Sequence, residues 1–382
     1  MRKIGCVVLV IVLLVGFLPT AAQAVDLNVA GKSALLMDAA TGTILYEKNA
    51  HEKLAPASVT KVMTMLLIME AIDSGKIGWD DTVTASETAA AKGGSQIYLK
   101  AGEMMSVTDM LKSIAVSSAN DCACAMAEHI AGSESAFVDL MNKRAQALGM
   151  NDTNFVNCTG LDDDPEAKNH VTSAHDIAIM SRELLVNHPD IKKFTTIWMD
   201  TVRGGTFGLS NTNKLVRFYQ GCTGLKTGFT SGAGYCLSAS ACRDGLELIA
   251  VVLGAESSQD RFNACKQMLD YGFANFALVE PELSGENTVS VKLGTANTVV
   301  AVPAEQARLL IDKAQRGDVK TEITLEKEVT APVSQGQKLG TMTIKSGDQV
   351  LAQVHMVARD AVPRLTWWQI FLNVLRKITM AA

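Results

Sequence analysis

The sequence predicts an α+β fold: an antiparallel sheet with helices and a helical lobe, then a small all-β domain, then an amphipathic C-terminal helix. Three observations predict it. Strand patterns stand at both ends of residues 25–278, with long helical patterns between them. From 279 to 362 the chain changes to short Val/Thr/Ile segments separated by Gly, Asn and Asp. After Pro363 an apolar stripe recurs at helical spacing. A chain of 382 residues is long for one small domain and fits two plus appendages. Hydrophobic residues at 48% against 20% charged can bury a sizeable core, so the chain is not disordered.

The first unit opens with a hairpin, Ser33–Asp38 and Thr43–Lys48, around a turn ending in Thr41-Gly42. A long helix starts near Ser58 and runs to Gly75, and further helices are predicted at 106–116, 119–131, 134–148 and 173–187. A second hairpin turns at Arg243-Asp244-Gly245, and its return strand from Leu246 is apolar throughout. A helix over 259–276 closes the unit. Because the strands come from both ends, one sheet is assembled from distant parts of the chain, not from alternating βαβ units. The second unit reads as antiparallel strands at 287–293, 297–301, 319–324, 340–345 and 349–358, with 304–316 a short helix or loop.

The termini carry targeting signals. Arg2 and Lys3 precede the apolar run Cys6–Leu18, and Ala22-Gln23-Ala24 supplies small residues for cleavage before Val25, so residues 1–24 read as a secretory signal. The competing reading, an uncleaved anchor, meets a run short of the about 20 apolar residues a span needs. Cys6 opens the run instead of following it, which makes it a poor lipoprotein cysteine. In residues 363–382, Trp367, Ile370, Phe371, Val374, Leu375 and Ile378 share one helical face, with Arg376 and Lys377 mostly on the other. From Trp367 to the end that helix is about 24 Å long at about 1.5 Å per residue, short of a bilayer core of about 30 Å, so an in-plane membrane helix fits better than a span. Packing on the protein's own core is the alternative. Together the ends place the chain across the cytoplasmic membrane and peripheral on its outer face.

Composition excludes several classes. A net charge of -5, or -7 once Arg2 and Lys3 are removed, argues against a nucleic-acid partner. Eight Cys without a CxxC pair, and six His without HExxH, predict neither a metal site nor a cofactor. Seven Cys remain after cleavage. That number is odd, so at least one is free or paired between chains, and the simplest reading is buried apolar side chains.

Three short motifs carry the chemistry. In Pro56-Ala57-Ser58-Val59-Thr60-Lys61, a serine at a helix start has a lysine one turn later on the same face. The amine can serve as base if its usual pKa of about 10.4 is lowered. Ser117-Ser118-Ala119-Asn120-Asp121 lies at a helix junction, where Ser118 can pass a proton and Asn120 can hold a substrate amide. Gly224-Leu225-Lys226-Thr227-Gly228-Phe229-Thr230 reads as an edge strand: Lys226 and Thr227 can bind a carboxylate, and Gly228 admits a ligand backbone. Each motif alone is weak; in this order, on helix start, helix junction and strand, they form the S-x-x-K, S-x-N and K-T-G triplet of penicillin-interacting serine enzymes. Lys345-Ser346-Gly347 is a decoy at a turn of the β unit, and His175-Asp176 reads as a helix start.

On these residues the chain resembles the D-alanyl-D-alanine carboxypeptidases, the low-molecular-mass penicillin-binding serine peptidases, over most of its length. The resemblance implies a β-lactamase/transpeptidase-like first domain and an acyl-enzyme on Ser58. Lys61 would take the serine proton, and Ser118 and Asn120 would complete the proton network and position the peptide. Lys226 and Thr227 would bind the terminal carboxylate, the backbone N–H groups of Ser58 and Phe229 would form the oxyanion hole, and Arg261 would be an additional carboxylate ligand. It also implies peptidoglycan stem peptides as substrate and β-lactams as inhibitors. Phe229 stands where some relatives carry His. A β-lactamase-like hydrolase, with Glu166 or Asp162–Asp164 holding a water, and a non-catalytic penicillin or cell-wall-peptide sensor are the alternative readings.

Overall fold

The computed structural model describes residues 27–163, 165–281, 283, 285–305 and 308–380, so the predicted signal at 1–24 lies outside the described residues. The first unit is built on five strands: β1 (Ser33–Asp38), β2 (Ile44–Lys48), β3 (Cys222–Thr230), β4 (Gly234–Arg243) and β5 (Leu246–Ala255). They lie in the order β2-β1-β5-β4-β3, all pairs antiparallel. The two hairpins therefore meet through β1 and β5, and β3, which carries Lys226, Thr227 and Gly228, is left as an edge.

Alternation along the strands sorts side chains to two faces. Leu35, Met37, Ile249, Val251 and Leu253 enter the core shared with the helical lobe. Their neighbours Ala34, Leu36, Leu248, Ala250 and Val252 enter the opposite core. Burial on both faces explains why β1 and β5 read as continuous apolar runs.

The lobe contains α1 (Lys61–Asp73), α2 (Val107–Ser117), α3 (Asn120–Ala131), α4 (Glu134–Ala147) and α5 (Ala174–Asn187); α6 (Ser258–Asn275) covers the other face of the sheet. α1 is buried on nearly every side, as a helix apolar all round must be. Serine side chains cap α2, α4, α5 and α6 by accepting the first-turn amides, so each start is set locally. The helix predicted to begin at Ser58 begins instead at Lys61, after a 3₁₀ turn over Ala57–Thr60.

The second unit is a six-stranded sheet of β6 (Thr288–Lys292), β7 (Thr298–Pro303), β8 (Val319–Leu325), β9 (Glu328–Thr330), β10 (Lys338–Ser346) and β11 (Gln349–Ala358), in the order β8-β10-β11-β7-β6-β9. It has its own core, including Val289, Val299, Leu339, Ile344 and Met356. Three details depart from the sequence reading, the first being β9 itself, which falls in none of the predicted strands. β6 and β9 run parallel, because the chain between them crosses the sheet and returns on its far edge. Within 304–316, Leu309–Asp312 is a strand, paired with Phe276–Val279 directly after α6. An isolated four-residue stretch has no helical or strand signal of its own strong enough to show this; the pairing partner decides it. Finally, α7 (Trp367–Met380) presents Trp367 and Trp368 to solvent, each 67% exposed, with Phe371 and Leu372 also exposed. Among the described residues, no helix is long and apolar enough to cross a membrane.

Candidate active site

The 3₁₀ turn places Ser58 ahead of α1, and Lys61 opens the helix one turn later. Lys61 Nζ lies 3.0 Å from Ser58 Oγ and donates to the Thr159 carbonyl at 2.8 Å. The lysine side chain is fully buried. Burial brings its pKa down to about 7, against the opposing influence of Cys158 and Asp121. A lysine amine available near neutrality, in contact with a serine hydroxyl, can act as a base.

The acceptor for Lys61 comes from a loop built for that purpose. Asn157 Oδ1 accepts the Thr159 and Gly160 amides (3.1 and 2.7 Å), and Asn157 Nδ2 donates to Leu161 O at 3.0 Å. One asparagine thus folds the loop that aims the Thr159 carbonyl. Sequence reasoning missed both residues: Thr159 acts through its main chain, and an asparagine in a loop is an unremarkable turn residue.

Ser118 caps α2 in the left-handed region (φ 63°, ψ 29°), and α3 begins two residues later. The turn is pinned on its far side. Asn120 N donates to Ser95 O (2.7 Å), and the Asp121 carboxylate accepts the Ile97 and Leu99 amides (3.1 and 3.0 Å). Asn120 is buried; its Nδ2 donates to Gly93 O at 2.7 Å, and among the described residues its Oδ1 has no partner. An oxygen so placed can accept an amide N–H.

β3 brings the third motif. Lys226 is buried and donates to the Thr227 carbonyl at 2.9 Å. Burial holds its pKa well below the ordinary lysine value, and the cations of Lys61 and Arg261 push the same way. Thr227 Oγ1 donates to Thr212 Oγ1 (2.6 Å), whose own amide donates to Val116 O on α2 (3.2 Å). Thr212, another residue without a sequence signal, therefore ties the K-T-G strand to the helix that Ser118 caps.

Gly228 has a tighter reason than the one read from sequence. A Cβ there would lie 2.6 Å from Pro56 O and 3.0 Å from Ser58 N. It is the nucleophile's own turn, not only a ligand, that needs the space. We expect Gly228→Ala to push β3 off the Ser58 amide and to slow penicillin acylation by about 100-fold, the scale of a displaced oxyanion donor. A fluorescent penicillin time course with a melting curve on the same variant checks this; acylation at the parent rate would contradict it.

Phe229 is 53% exposed and packs against Tyr235, with ring centroids 4.3 Å apart and the planes tilted by 30°. Arg261, expected as an additional carboxylate ligand, lies on α6 against β3, and among the described residues its buried Nε has no partner. Its Nη1 donates to Gly228 O (2.7 Å) and Cys236 O (3.3 Å), and its guanidinium packs over Tyr235 and Phe262. In this arrangement it braces β3 from α6, and its charge reaches the site through Lys226.

The other candidates fall outside the cluster. Lys345 pairs with Glu322 across the second sheet (2.6 Å). His175 sits beside Asp176 at the start of α5, and Asp176 Oδ2 accepts from Asp152 N (2.8 Å) and Thr153 Oγ1 (2.7 Å). Asp162, Asp163 and Glu166 are exposed, and Asp164 lies outside the described residues. The seven described cysteines are free, five of them buried.

The comparisons decide the family. The D-alanyl-D-alanine carboxypeptidase family matches residues 19–257. The chain belongs to the D-alanyl-D-alanine carboxypeptidase family. The C-terminal domain family of penicillin-binding protein 5 matches residues 279–364. The chain is similar to D-alanyl-D-alanine carboxypeptidase DacF of Bacillus subtilis, 43% identical over 94% of each chain. It is also similar to DacC of Escherichia coli, 34% identical over 88% of this chain and 85% of that one. Among solved structures, penicillin-binding protein 5 of Haemophilus influenzae superposes with a TM-score of 0.74 at 32% identity, covering 88% of this chain and 98% of that one. An ampicillin-bound penicillin-binding protein D2 of Listeria monocytogenes reaches 0.57 at 32% identity over 65% of this chain and 99% of that one. As a member of this carboxypeptidase family, the chain is a serine peptidase.

Proposed function

We propose that the chain removes the terminal D-alanine from peptidoglycan stem peptides through an acyl-enzyme on Ser58. The observation that carries this is the 3.0 Å approach of a fully buried, easily deprotonated Lys61 to the Ser58 hydroxyl. Lys61 takes the serine proton as Oγ attacks the carbonyl between the two D-alanines. The oxyanion is met by the amides of Ser58 and Phe229. Ser118 passes the proton to the departing D-alanine nitrogen, and Asn120 Oδ1 accepts a peptide N–H. Water then hydrolyses the ester. Lys226 and Thr227 receive the terminal carboxylate. An incoming anion restores the charge that burial disfavours on Lys226, so substrate and cation stabilise each other. Arg261 supports that clamp by holding Gly228. A β-lactam follows the same first step and stalls at the second.

The alternatives lose ground. A lactamase needs fast deacylation, usually helped by a carboxylate holding the water, and Asp162, Asp163 and Glu166 are exposed. Retention of Ser58, Lys61, Ser118, Asn120 and Lys226 together argues against a sensor that has lost catalysis. Assay of D-alanine release from a pentapeptide tests the reading directly; penicillin hydrolysis without D-alanine release would favour the lactamase.

We take residues 1–24 as the secretory signal, 25–278 as the peptidase domain, 279–362 as the β domain and 363–382 as a membrane anchor on the outer face of the cytoplasmic membrane. Supporting the last is the exposed aromatic cluster of α7, where Trp367 stacks on Phe371 with centroids 5.6 Å apart. Adjacent tryptophans near cations suit a lipid interface. Deleting 363–382 is expected to release the enzyme from membranes while leaving cleavage of a small soluble peptide unchanged. Continued sedimentation of the truncated enzyme with membranes would count against the anchor.

A further inference from the structure

We infer that His170 is a positioning residue for the nucleophile: as the neutral Nε2–H tautomer it holds Thr60, and through Thr60 the Ala57 carbonyl, in the geometry that sets Ser58 against Lys61. The inference rests on the assignment of Ser58 as nucleophile.

The argument begins with a strained residue. Ala57, immediately before Ser58, has φ +48°, a left-handed conformation that a residue with a Cβ resists. Something must hold it. Its carbonyl accepts Thr60 Oγ1–H at 2.8 Å. The carbonyl also rests against Gly160, where a Cβ would lie 1.9 Å from Ala57 O and 2.7 Å from Thr60 Oγ1, so only glycine fits there. The Thr60 hydroxyl has one proton. If that proton goes to Ala57, a partner facing the oxygen has to donate.

His170 supplies that donor. Its ring is buried, with Nε2 2.8 Å from Thr60 Oγ1. The opposite nitrogen, Nδ1, faces two backbone amides, Val156 N at 3.1 Å and Asn157 N at 3.4 Å. Amides only donate, so Nδ1 accepts and the ring proton sits on Nε2. Every proton in the chain from Val156 to Ala57 then has one acceptor. An imidazolium would set N–H against N–H at Nδ1. Burial and the charge of Lys61 lower the pKa to about 4 and keep the ring neutral in the working range.

The placement links this clamp to the base. His170 stands at the closing end of a loop whose other end is Asn154, and Asn154 and Val171 exchange both backbone hydrogen bonds (2.9 and 3.0 Å). Thr159, inside the same loop, accepts Lys61 Nζ. One loop therefore grips the serine's turn through His170 and Gly160, and the lysine through Thr159. Misplacing reacting groups by about 1 Å costs on the order of 100-fold, so loss of the clamp should appear in the chemical step and not in binding.

The test compares His170→Leu, His170→Asn, His170→Gln and Thr60→Val in the full chain. The readouts are the rate constant of penicillin acylation at saturation, the half-saturating penicillin concentration, and the melting temperature. Leu and Asn, which cannot reach Thr60 with a donor, are expected to slow acylation about 20-fold or more with half-saturation unchanged. Gln, whose amide can reach Thr60, is expected to recover to within about fivefold of the parent. Thr60→Val is expected to match Leu, and the Thr60→Val, His170→Leu pair to lose no more than either alone. Parent-rate acylation by Leu or Asn, or a Gln variant no faster than Leu at equal melting temperature, would overturn the inference. Should the variants not fold, nitrogen-15 spectra of the parent decide it: a proton on Nε2 supports the clamp and a proton on Nδ1 overturns it. Mapping the parent's penicillin adduct separates the two levels. An adduct on a residue other than Ser58 removes the nucleophile assignment, whereas an adduct on Ser58 with unaffected variants removes the clamp alone.

Discussion

Acylation of this chain by a β-lactam is expected to rise with pH through about 7 and to level off above it. The sign follows from which form of Lys61 reacts. Only the neutral amine can take the Ser58 proton, and burial brings the lysine pKa down to about 7. Below that value the amine is progressively protonated and the rate falls about tenfold per pH unit; above it the amine is already free. The prediction extends to Lys61→Arg. A guanidinium is protonated at every accessible pH, so the variant keeps a cation but loses the base. It is expected to acylate slower by about 1,000-fold, within the range that general base catalysis supplies. Quenched-flow labelling with a radiolabelled penicillin from pH 5.5 to 9 measures both. A flat profile across 6–8, or an Arg variant near parent rates, would take the proton away from Lys61.

Ser58→Ala has the larger effect. Removing Oγ leaves no atom to carry the acyl group, so covalent penicillin labelling and D-alanine release should both disappear. Losses on the order of 10⁶-fold accompany removal of a catalytic serine in serine hydrolases. The fold should tolerate the change. Ser58 is only partly buried, and the 3₁₀ turn that carries it is held by Thr60, Gly160 and the approach of β3, none of which uses Oγ. Lys226, Thr227 and Asn120 are untouched, so the variant should still bind penicillin reversibly. A melting temperature close to the parent's, with penicillin binding but no adduct, is the expected pattern in calorimetry and gel labelling. A persistent adduct would move the nucleophile elsewhere.

Much of this site was legible because helical and strand spacing are local properties. Three residues on a turn put Lys61 over Ser58, and a serine and asparagine flanking a helix start place Ser118 and Asn120 at a junction. The segment around Lys226 reads as an edge because it precedes the second hairpin, and it is the last strand of the sheet. What the sequence hid acts through the main chain or through distant partners. Thr159 contributes a carbonyl, which every residue has. Thr212 matters only because the fold sets it between α2 and β3. Gly228 looked like room for a ligand, but the space it leaves is filled by Pro56 and Ser58. Arg261 came only from the family resemblance, and its direction, toward Gly228 and Cys236, depends on how α6 crosses the sheet. In the second unit, the parallel pairing of β6 with β9 and the strand Leu309–Asp312 are set by partners dozens of residues away.

The most direct measurement is peptide-resolved mass spectrometry of the intact enzyme after brief β-lactam treatment, with D-alanine release from a pentapeptide assayed on the same preparation. The account predicts one drug mass per chain, confined to the peptide containing Ser58, and steady D-alanine release that stops as the adduct accumulates. An adduct elsewhere, or full modification of Ser58 with D-alanine release undiminished, would contradict it.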